Sequence, residues 1–313
     1  MRFRARNLLT ANELSRDDII LLFRMARELK SGAIAGADRA LRGKTLALLF
    51  EKPSTRTRVS FEVAMAQLGG HSLFLGAQDL QLSRGETIGD TARVLSRYVD
   101  GVVLRLYEQK TLEAFASAAG VPVINGLTDK HHPCQALADL YTLWERWDGK
   151  LDGRKIGFVG DGGDNVLVSL LHVCSKLGVG VSVGCPKEYS PSRQVLAEAR
   201  ANADKSKAKI DVFSSPVEAA QGADAVYTDV WVSMGQESER EERLKTLSAF
   251  QVNEQVMGAA KGEAVFMHCL PAHRGQEVAA GVIDSNRSIV WEQAENRMHL
   301  QKALLMLMLG NGD

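Results

Sequence analysis

Short apolar runs alternate with amphipathic segments along most of the chain. Runs of five or six mainly apolar residues are typical of buried strands, and they occupy residues 45–50, 71–75, 102–106, 155–159, 179–183, 209–213, 223–228 and 263–267. Apolar residues recur at helical spacing over residues 58–68, 87–98, 111–119, 135–147 and 291–309. Buried strands that alternate with helices predict parallel sheets covered on both faces, which is an α/β fold.

A stretch rich in turn-forming residues lies near the middle of the sequence, at residues 148–153. Such a stretch is typical of a domain boundary, and a length of 313 residues suits two domains. We therefore predict two doubly wound parallel-sheet domains joined by helices, residues 1–147 and 148–290, with a C-terminal helix at 291–313 packing back on the first. We expect the active site in the cleft between the domains.

Composition narrows the classes of partner. Lys plus Arg and Asp plus Glu both total 38, so the net charge is zero, which argues against a general nucleic-acid binder. No apolar run approaches the ~20 residues that span a bilayer, and no apolar signal core follows the N-terminus. The four cysteines are widely spaced without a Cys-x-x-Cys pair, which predicts neither a zinc ribbon nor a disulfide framework. We expect a cytoplasmic protein without membrane or nucleic-acid partners.

A candidate anion site follows the first strand. Residues 50–58 read Phe-Glu-Lys-Pro-Ser-Thr-Arg-Thr-Arg and open the next helix, which Ser54 or Thr55 can cap. The free amides and the dipole of a helix N-terminus favour an anion, and the guanidinium groups of Arg56 and Arg58 add donors for a phosphate. On this segment alone, a cap followed by solvated arginines is an equally good interpretation.

A glycine-rich turn after the strand at 155–159 offers a second motif. Gly160 and Gly162 fit the start of a dinucleotide fingerprint, but Asn165 occupies the position of the third glycine. The next strand ends at Gly184 without an acidic residue for a ribose. The pattern therefore does not favour a nicotinamide site, and we expect no cofactor.

Five elements, taken together, resemble the aspartate and ornithine carbamoyltransferase family. The first is Ser-Thr-Arg-Thr-Arg at 54–58, and the second is His-Pro-Cys-Gln at 132–135. The others are Asp-Val-Trp-Val-Ser-Met-Gly at 229–235, His-Cys-Leu-Pro at 268–271 and Glu-Asn-Arg at 295–297. They occur in the family's order, and the third and fourth resemble the branch that uses ornithine. The resemblance implies transfer of a carbamoyl group from carbamoyl phosphate to the δ-amine of ornithine, giving citrulline and phosphate, without metal.

The resemblance implies a carbamoyl-phosphate site drawn mainly from the first half. Arg105, at the end of an apolar strand, would contact phosphate and carbonyl oxygen, and Arg297 would be a second carbonyl-facing arginine. His132 can donate to the carbonyl oxygen, while Gln135 can accept from the carbamoyl NH₂ group. The implied ligands are Ser54, Thr55, Arg56, Thr57, Gln81, Arg105, His132, Gln135, Leu270 and Arg297. The implied catalytic residues are Arg105, His132 and Cys269.

The second half would bind the amino acid. Asp229 and Ser233 suit an ammonium group, while Asn165 and the amide of Met234 suit the carboxylate. By resemblance Cys269 lies near the δ-nitrogen, where it is a candidate for receiving or relaying the amine proton. Which group takes that proton stays open at this point.

The resemblance also bears on assembly and substrate choice. Gln81 matches a family loop that reaches a neighbouring subunit's active site, which implies a homotrimer with shared sites. Asp164 stands where many relatives have asparagine, and an extra carboxylate there bears on affinity and substrate choice. A carbamoyltransferase for putrescine or an N-acylated ornithine, or a non-catalytic homologue, are the alternatives.

Overall fold

The computed structural model describes residues 3–76, 85–233 and 235–310. Two compact units are present, the first comprising Met1–Tyr141 with Asn296–Asp313 and the second Thr142–Glu295. The chain passes from one unit to the other after Tyr141 and again after Glu295, each time within a long helix. The sequence pattern instead predicts the boundary in the turn at 148–153. The assignment of one substrate to each domain stays a prediction.

The first unit contains a four-stranded parallel sheet. Its strands are β1 (Thr45–Phe50), β2 (His71–Gly76), β3 (Gly101–Arg105) and β4 (Val123–Leu127), in the order β2-β1-β3-β4. The helices that begin in this unit are α1 (Arg16–Lys30), α2 (Thr55–Gln67), α3 (Ile88–Leu95), α4 (Gln109–Ala118) and α5 (Pro133–Arg146). Strand β3 is buried along its whole length and β1 along nearly all of it, as a sheet covered on both faces requires.

The second unit contains a five-stranded parallel sheet. Its strands are β5 (Lys155–Val159), β6 (Gly180–Gly184), β7 (Ile210–Phe213), β8 (Ala225–Thr228) and β9 (Val265–His268), in the order β7-β6-β5-β8-β9. Its helices are α6 (Asn165–Leu177), α7 (Arg193–Ser206), α8 (Pro216–Ala220), α9 (Arg240–Leu247), α10 (Glu254–Ala259) and α11 (Ala280–Ile283). Helix α12 (Val290–Leu309) ends in the first unit. The prediction of two parallel-sheet α/β domains is confirmed.

Single turns of 3₁₀-helix complete the regular structure of the described residues. They lie at Ala11–Glu13, Ala37–Arg39, Lys187–Tyr189, Glu237–Glu239 and Ser248–Phe250. No helix in the described part of the chain is both long enough and apolar enough to cross a bilayer.

The strand order places a topological switch point in each sheet. In the first unit, the chain leaves β1 for β2 on one side and later returns to β3 on the other. In the second unit, the same reversal occurs between β5 and β8. Loops diverge at the carboxyl ends of such strands and leave room for a ligand. The predicted anion motif follows β1, and Arg105 is the last residue of β3. The glycine turn follows β5, and Asp229 follows β8.

Local sequence explains how the helices at these switch points begin. The hydroxyl of Ser54 accepts a hydrogen bond from the Thr57 amide and so caps α2. The carboxylate of Asp164 accepts from the amides of Val166 and Leu167 and caps α6.

In β5, the absence of a side chain at Gly157 lets α8 approach, since a Cβ there would lie 2.8 Å from the Ala219 carbonyl oxygen.

Candidate functional site

The predicted anion loop ends in a helix N-terminus with an ordered hydroxyl pair. The Ser54 hydroxyl lies 3.1 Å from the Thr57 hydroxyl and 3.2 Å from the Thr57 amide nitrogen. Thr57 is buried, whereas Thr55 and Arg56 are exposed. The paired hydroxyls thus fix the first turn of α2, while the exposed side chains extend from it, as a helix N-terminus that binds an anion requires.

Arg297, on α12, joins two of the predicted elements. One terminal nitrogen of its buried guanidinium group donates to the Thr57 hydroxyl at 2.7 Å. The other donates to the Gln135 side-chain oxygen at 2.8 Å. Gln135 in turn donates to the buried carboxylate of Asp139 at 2.8 Å. In isolation Arg297 is typical of a solvated residue; its burial against two other predicted ligands has no local sequence signal.

Arg105 lies at the end of β3 and is also buried. Its Nε donates to the backbone carbonyl of Lys52 at 3.2 Å, and the carbonyl of Arg105 accepts from the Glu51 amide. The Lys52 side chain is buried too and forms an ion pair with Asp129, with its ammonium group 4.4 Å from the centre of the Tyr107 ring. Lys52 therefore fixes the loop between β1 and α2, and the sequence interpretation missed this role.

His132 immediately precedes α5, with Gln135 in the first turn of the helix. Burial lowers the pKa of His132 well below its usual value, and the charges of Arg297 and Arg105 lower the pKa further. The imidazole is therefore neutral at pH 7, and one ring nitrogen carries a proton that can be donated to a carbonyl oxygen.

Two predicted positively charged residues lie outside this buried group. Arg56 is exposed at the start of α2, and no ion pair joins it to the described residues. Arg58 pairs with Glu62 at 3.0 Å and stacks 3.9 Å from the centre of the Phe74 ring, which accounts for its charge without a ligand. Gln81 lies outside the described residues.

In the second unit, Asp229 follows β8 and meets Cys269, which follows β9. The Cys269 thiol donates to Asp229 Oδ1 at 2.9 Å, and the Val230 amide donates to the same oxygen at 2.7 Å. Asp229 is 8% exposed, and burial raises the pKa of its carboxyl group, although contacts that include the thiol oppose the shift. A buried carboxylate with few donors attracts an ammonium group.

His268 orients the segment that carries Cys269. Its Nδ1 accepts from the Leu270 amide at 2.9 Å, and its Nε2 lies 3.2 Å from the carboxylate of Glu277. Both His268 and Glu277 are fully buried. Leu270 has a φ of 59°, a left-handed conformation that a leucine rarely adopts. The strained backbone turns the chain directly after Cys269; Glu277 is a further contributor that the sequence interpretation missed.

The side chains of Asp229, His268 and Cys269 offer three possible metal ligands within 4.8 Å of one another. Both ring nitrogens of His268 are already engaged, and the thiol donates to the carboxylate. A metal would need the Nδ1 lone pair that accepts from Leu270, or a deprotonated Nε2 or thiol. The donor set therefore fits a network of internal hydrogen bonds better than a metal, and the absence of a metal stays a prediction.

The glycine-rich turn brings Asp164 and Asn165 into the same region. Burial raises the pKa of Asp164 well above its usual value, and the charge of Asp229 is the next largest cause. Asn165 is the first residue of α6 and Asp164 is its cap. The turn after β5 and the loop after β8 therefore lie close enough for their carboxylates to interact.

The loop after β8 continues through Trp231 and Ser233. The Ser233 amide donates to the side chain of Gln236 at 3.0 Å, and the carbonyl of Trp231 accepts from the buried Arg243 at 2.6 Å. Met234 lies outside the described residues. Arg243 is in α9, outside every recognised element, so the sequence interpretation did not include it.

Two family models match most of the chain. The one described as aspartate/ornithine carbamoyltransferase, carbamoyl-P binding domain, matches residues 6–145. The one described as aspartate/ornithine carbamoyltransferase, Asp/Orn binding domain, matches residues 152–308.

Individual relatives agree with these matches. The chain is 54% identical over 308 residues to an ornithine carbamoyltransferase of Pyrococcus abyssi, covering 98% of this chain and 96% of the relative. It is 54% identical over 306 residues to the anabolic ornithine carbamoyltransferase of Pyrococcus furiosus, covering 97% and 96%. A solved structure of ornithine carbamoyltransferase from Pyrococcus furiosus has a TM-score of 0.95 and 52% identity, with all of both chains covered.

The buried carboxyl group of Asp164 predicts a pH-dependent change in stability. Because its pKa is raised in the folded state, its contribution is fully present below the unfolded value of 3.8 and is lost as the pH rises through the folded value. Asp164→Asn keeps a side chain that caps a helix but removes the charge. We expect it to raise the free energy of unfolding by about 1–3 kcal/mol at about pH 8, and by much less at about pH 4.

Denaturant unfolding at the two pH values measures this difference. Asp204→Asn, at an exposed position on α7, is the matched control and should change stability little at either pH. An equal effect of Asp164→Asn at both pH values would contradict the assignment.

Proposed function

Because the chain belongs to the aspartate/ornithine carbamoyltransferase family, we propose that it transfers the carbamoyl group of carbamoyl phosphate to the δ-amine of L-ornithine, giving L-citrulline and phosphate. The observation that carries the choice of amine is the buried Asp229 carboxylate beside the Cys269 thiol. A carboxylate in this position attracts the ammonium groups of ornithine and repels the side-chain carboxylate of aspartate.

The first unit supplies groups for the leaving phosphate and the carbonyl oxygen. The N-terminus of α2, with Ser54, Thr55, Arg56 and Thr57, would hold the phosphate. Arg105, His132 and Arg297 would surround the carbonyl oxygen, where negative charge develops in the tetrahedral intermediate. Gln135, oriented by Arg297, would accept from the carbamoyl NH₂ group. The clustering of two buried guanidinium groups around a neutral imidazole supports these roles.

The second unit supplies groups for the amino acid. Asp229 and Ser233 would bind ammonium, while Asn165 and the Met234 amide would bind the carboxylate. The neutral δ-nitrogen attacks the carbonyl carbon, the C–N bond forms, and the C–O bond to phosphate breaks with its electron pair leaving on phosphate. The phosphate that leaves can take up the proton that the amine loses. The reaction balances without a redox cofactor or a metal, and Asp229 and Cys269 are the candidates for relaying the proton.

A substrate panel tests the proposed reaction. The purified full-length protein is given carbamoyl phosphate with ornithine, aspartate, putrescine or N-acetylornithine, each separately. We expect a carbamoylated product with ornithine at a kcat/KM at least about 100-fold above that with any other amine, because only ornithine matches both ends of the site. Release of phosphate and formation of citrulline measure turnover. Preference for putrescine or N-acetylornithine, or turnover of none, would support one of the alternatives instead.

The neutral imidazole of His132 predicts a specific loss of activity. His132→Ala removes a donor to the developing negative charge, and we expect kcat/KM to fall about 100- to 1000-fold. His131→Ala, at the neighbouring residue, should leave kcat/KM close to the wild-type value. Steady-state kinetics with ornithine measure both variants. Similar losses for the two would show that the loop as a whole matters rather than the His132 ring.

We propose that the protein is a homotrimer with shared active sites, as the resemblance implies for Gln81. Helix α2 packs beside the edge strand β2, and the two expose Val59, Val63 and Leu73, which are 49%, 36% and 43% exposed. Apolar side chains beside an edge strand favour burial against another chain. We also propose a cytoplasmic location, which the four free thiols support.

A charge placed in this surface tests the trimer. Light scattering should show a trimer for the wild-type protein and a smaller species for Val63→Lys. The reason is that a charge buried at an interface lacks a partner. Val212→Lys is the matched control: Val212 is also 36% exposed and lies on an edge strand, but in the second unit. A Val63→Lys protein that remains trimeric would contradict the assignment of this surface.

A further inference from the structure

Gln293 is a buried residue of α12 whose side chain contacts the ends of two strands. Its side-chain oxygen accepts from the backbone amide of His268 at 3.0 Å, and its side-chain nitrogen donates to the Tyr227 hydroxyl at 3.1 Å. His268 is the last residue of β9, and Tyr227 is the last but one of β8. Gln293 is 1% exposed, so both hydrogen bonds are shielded from water. One amide group therefore joins β8 and β9 where both strands end.

The contact with His268 continues a row of hydrogen bonds along the outer edge of β9. This strand is the last of its sheet, so the backbone amides on its free side need partners from outside the sheet. The Phe266 amide donates to the carbonyl of Arg287 at 2.8 Å, and two residues later the His268 amide donates to Gln293. The Gln293 side chain thus takes the place of a backbone carbonyl at the position directly before Cys269.

The two strand ends carry the candidates for relaying the amine proton. Asp229 follows Tyr227 by two residues, and Cys269 follows His268 directly. Because β8 and β9 are parallel and Thr228 is paired with His268, the residues that follow them emerge side by side. The Cys269 thiol lies 2.9 Å from Asp229, a distance that depends on how far apart the strand ends are held. Gln293 spans the same two strands with side-chain hydrogen bonds.

We propose that Gln293 is a positioning residue, which holds the Cys269 segment at the distance from Asp229 that the attack of the amine requires, without touching the substrate. This inference rests on the proposed function. A side-chain amide suits the role because it carries an acceptor and a donor on one planar group. Leucine at this position would fill a similar volume, but the His268 amide and the Tyr227 hydroxyl would lose these bonds.

Kinetics of Gln293 variants of the full-length protein test the proposal. In Gln293→Leu we expect kcat with ornithine to fall about tenfold or more, since small displacements of reacting groups cause large losses in rate. The KM for carbamoyl phosphate should stay within about twofold of the wild-type value, because its proposed ligands lie mainly in the first unit. Gln293→Glu can still accept from the His268 amide and from the Tyr227 hydroxyl, so it should retain kcat within about threefold.

Alkylation of Cys269 by iodoacetamide gives a second measurement, which does not require turnover. The other three cysteines are buried, so Cys269 is the thiol that the reagent reaches most readily. Mass spectrometry of the labelled peptides follows the rate at this residue. We expect the rate to rise about threefold or more in Gln293→Leu, because a segment that is no longer tied to α12 releases the thiol from Asp229. In Gln293→Glu the rate should stay near the wild-type value.

Gln301→Leu is the matched control. Gln301 lies eight residues further along α12 and is fully buried, and neither end of its side chain has a hydrogen-bond partner among the residues that the structure describes. The same substitution there should leave kcat and the alkylation rate unchanged. Melting curves establish that each variant is folded. If Gln293→Leu is not, Tyr227→Phe decides, because it removes the other partner of the bridge and should change both rates in the same directions by about threefold.

Three outcomes would overturn the proposal. The first is an unchanged kcat and alkylation rate in folded Gln293→Leu, or in Tyr227→Phe if that variant decides. The others are equal changes in Gln301→Leu, or a loss of kcat in Gln293→Glu as large as that in Gln293→Leu. Failure of the proposed function is seen separately, as absence of citrulline formation by the wild-type protein. The alkylation rates then still report whether Gln293 holds the Cys269 segment.

Discussion

The candidate site depends on one constraint: charges that are buried at the carboxyl ends of parallel strands must be paired. Arg105 and Arg297 are both buried, and each must find acceptors inside the protein. Arg297 uses the Thr57 hydroxyl and the Gln135 amide, and Arg105 uses the Lys52 carbonyl. These three acceptors are neutral oxygens, and a bound phosphate would bring an anion to two buried positive charges.

The second unit applies the same constraint with the opposite sign. Asp229 accepts from an amide and a thiol, which are weaker than a guanidinium partner, and its charge is left for an ammonium group. The nearby Asp161, by contrast, has a full ionic partner in Arg243. The structure thus pairs Asp161 with a cation, whereas Asp229 has only an amide and a thiol as hydrogen-bond donors. An ammonium group is therefore attracted to Asp229 more than to Asp161. A chain whose net charge is zero can in this way bind both an anion and a cation.

The sequence was informative wherever the signal was local. The cap at Ser54, the alternation of strands and helices, and the placement of Arg105 and Asp229 at strand ends all depend on short-range patterns, and the structure contains them. Strand β4, helix α1 and helices α6 to α11 were not given ranges from the sequence. Helix α1 nevertheless has a local signal, the capping box between Ser15 and Asp18. The predicted ligands Gln81 and Met234 lie outside the described residues and stay predictions.

Residues that act through tertiary contacts left no such signal. Lys52 is buried by Tyr107 and Asp129, which are distant along the chain, and Arg243 contacts Asp161 across 82 positions. Arg and Lys side chains are mostly exposed to solvent in folded proteins. Only the fold shows which partners offset the free-energy cost of burying them. Motif comparison therefore finds the groups proposed to touch substrate, whereas the residues that hold those groups in place emerge from burial and pairing. Arg58 shows the converse, since its position inside the motif suggested a ligand but Glu62 and Phe74 already account for its charge.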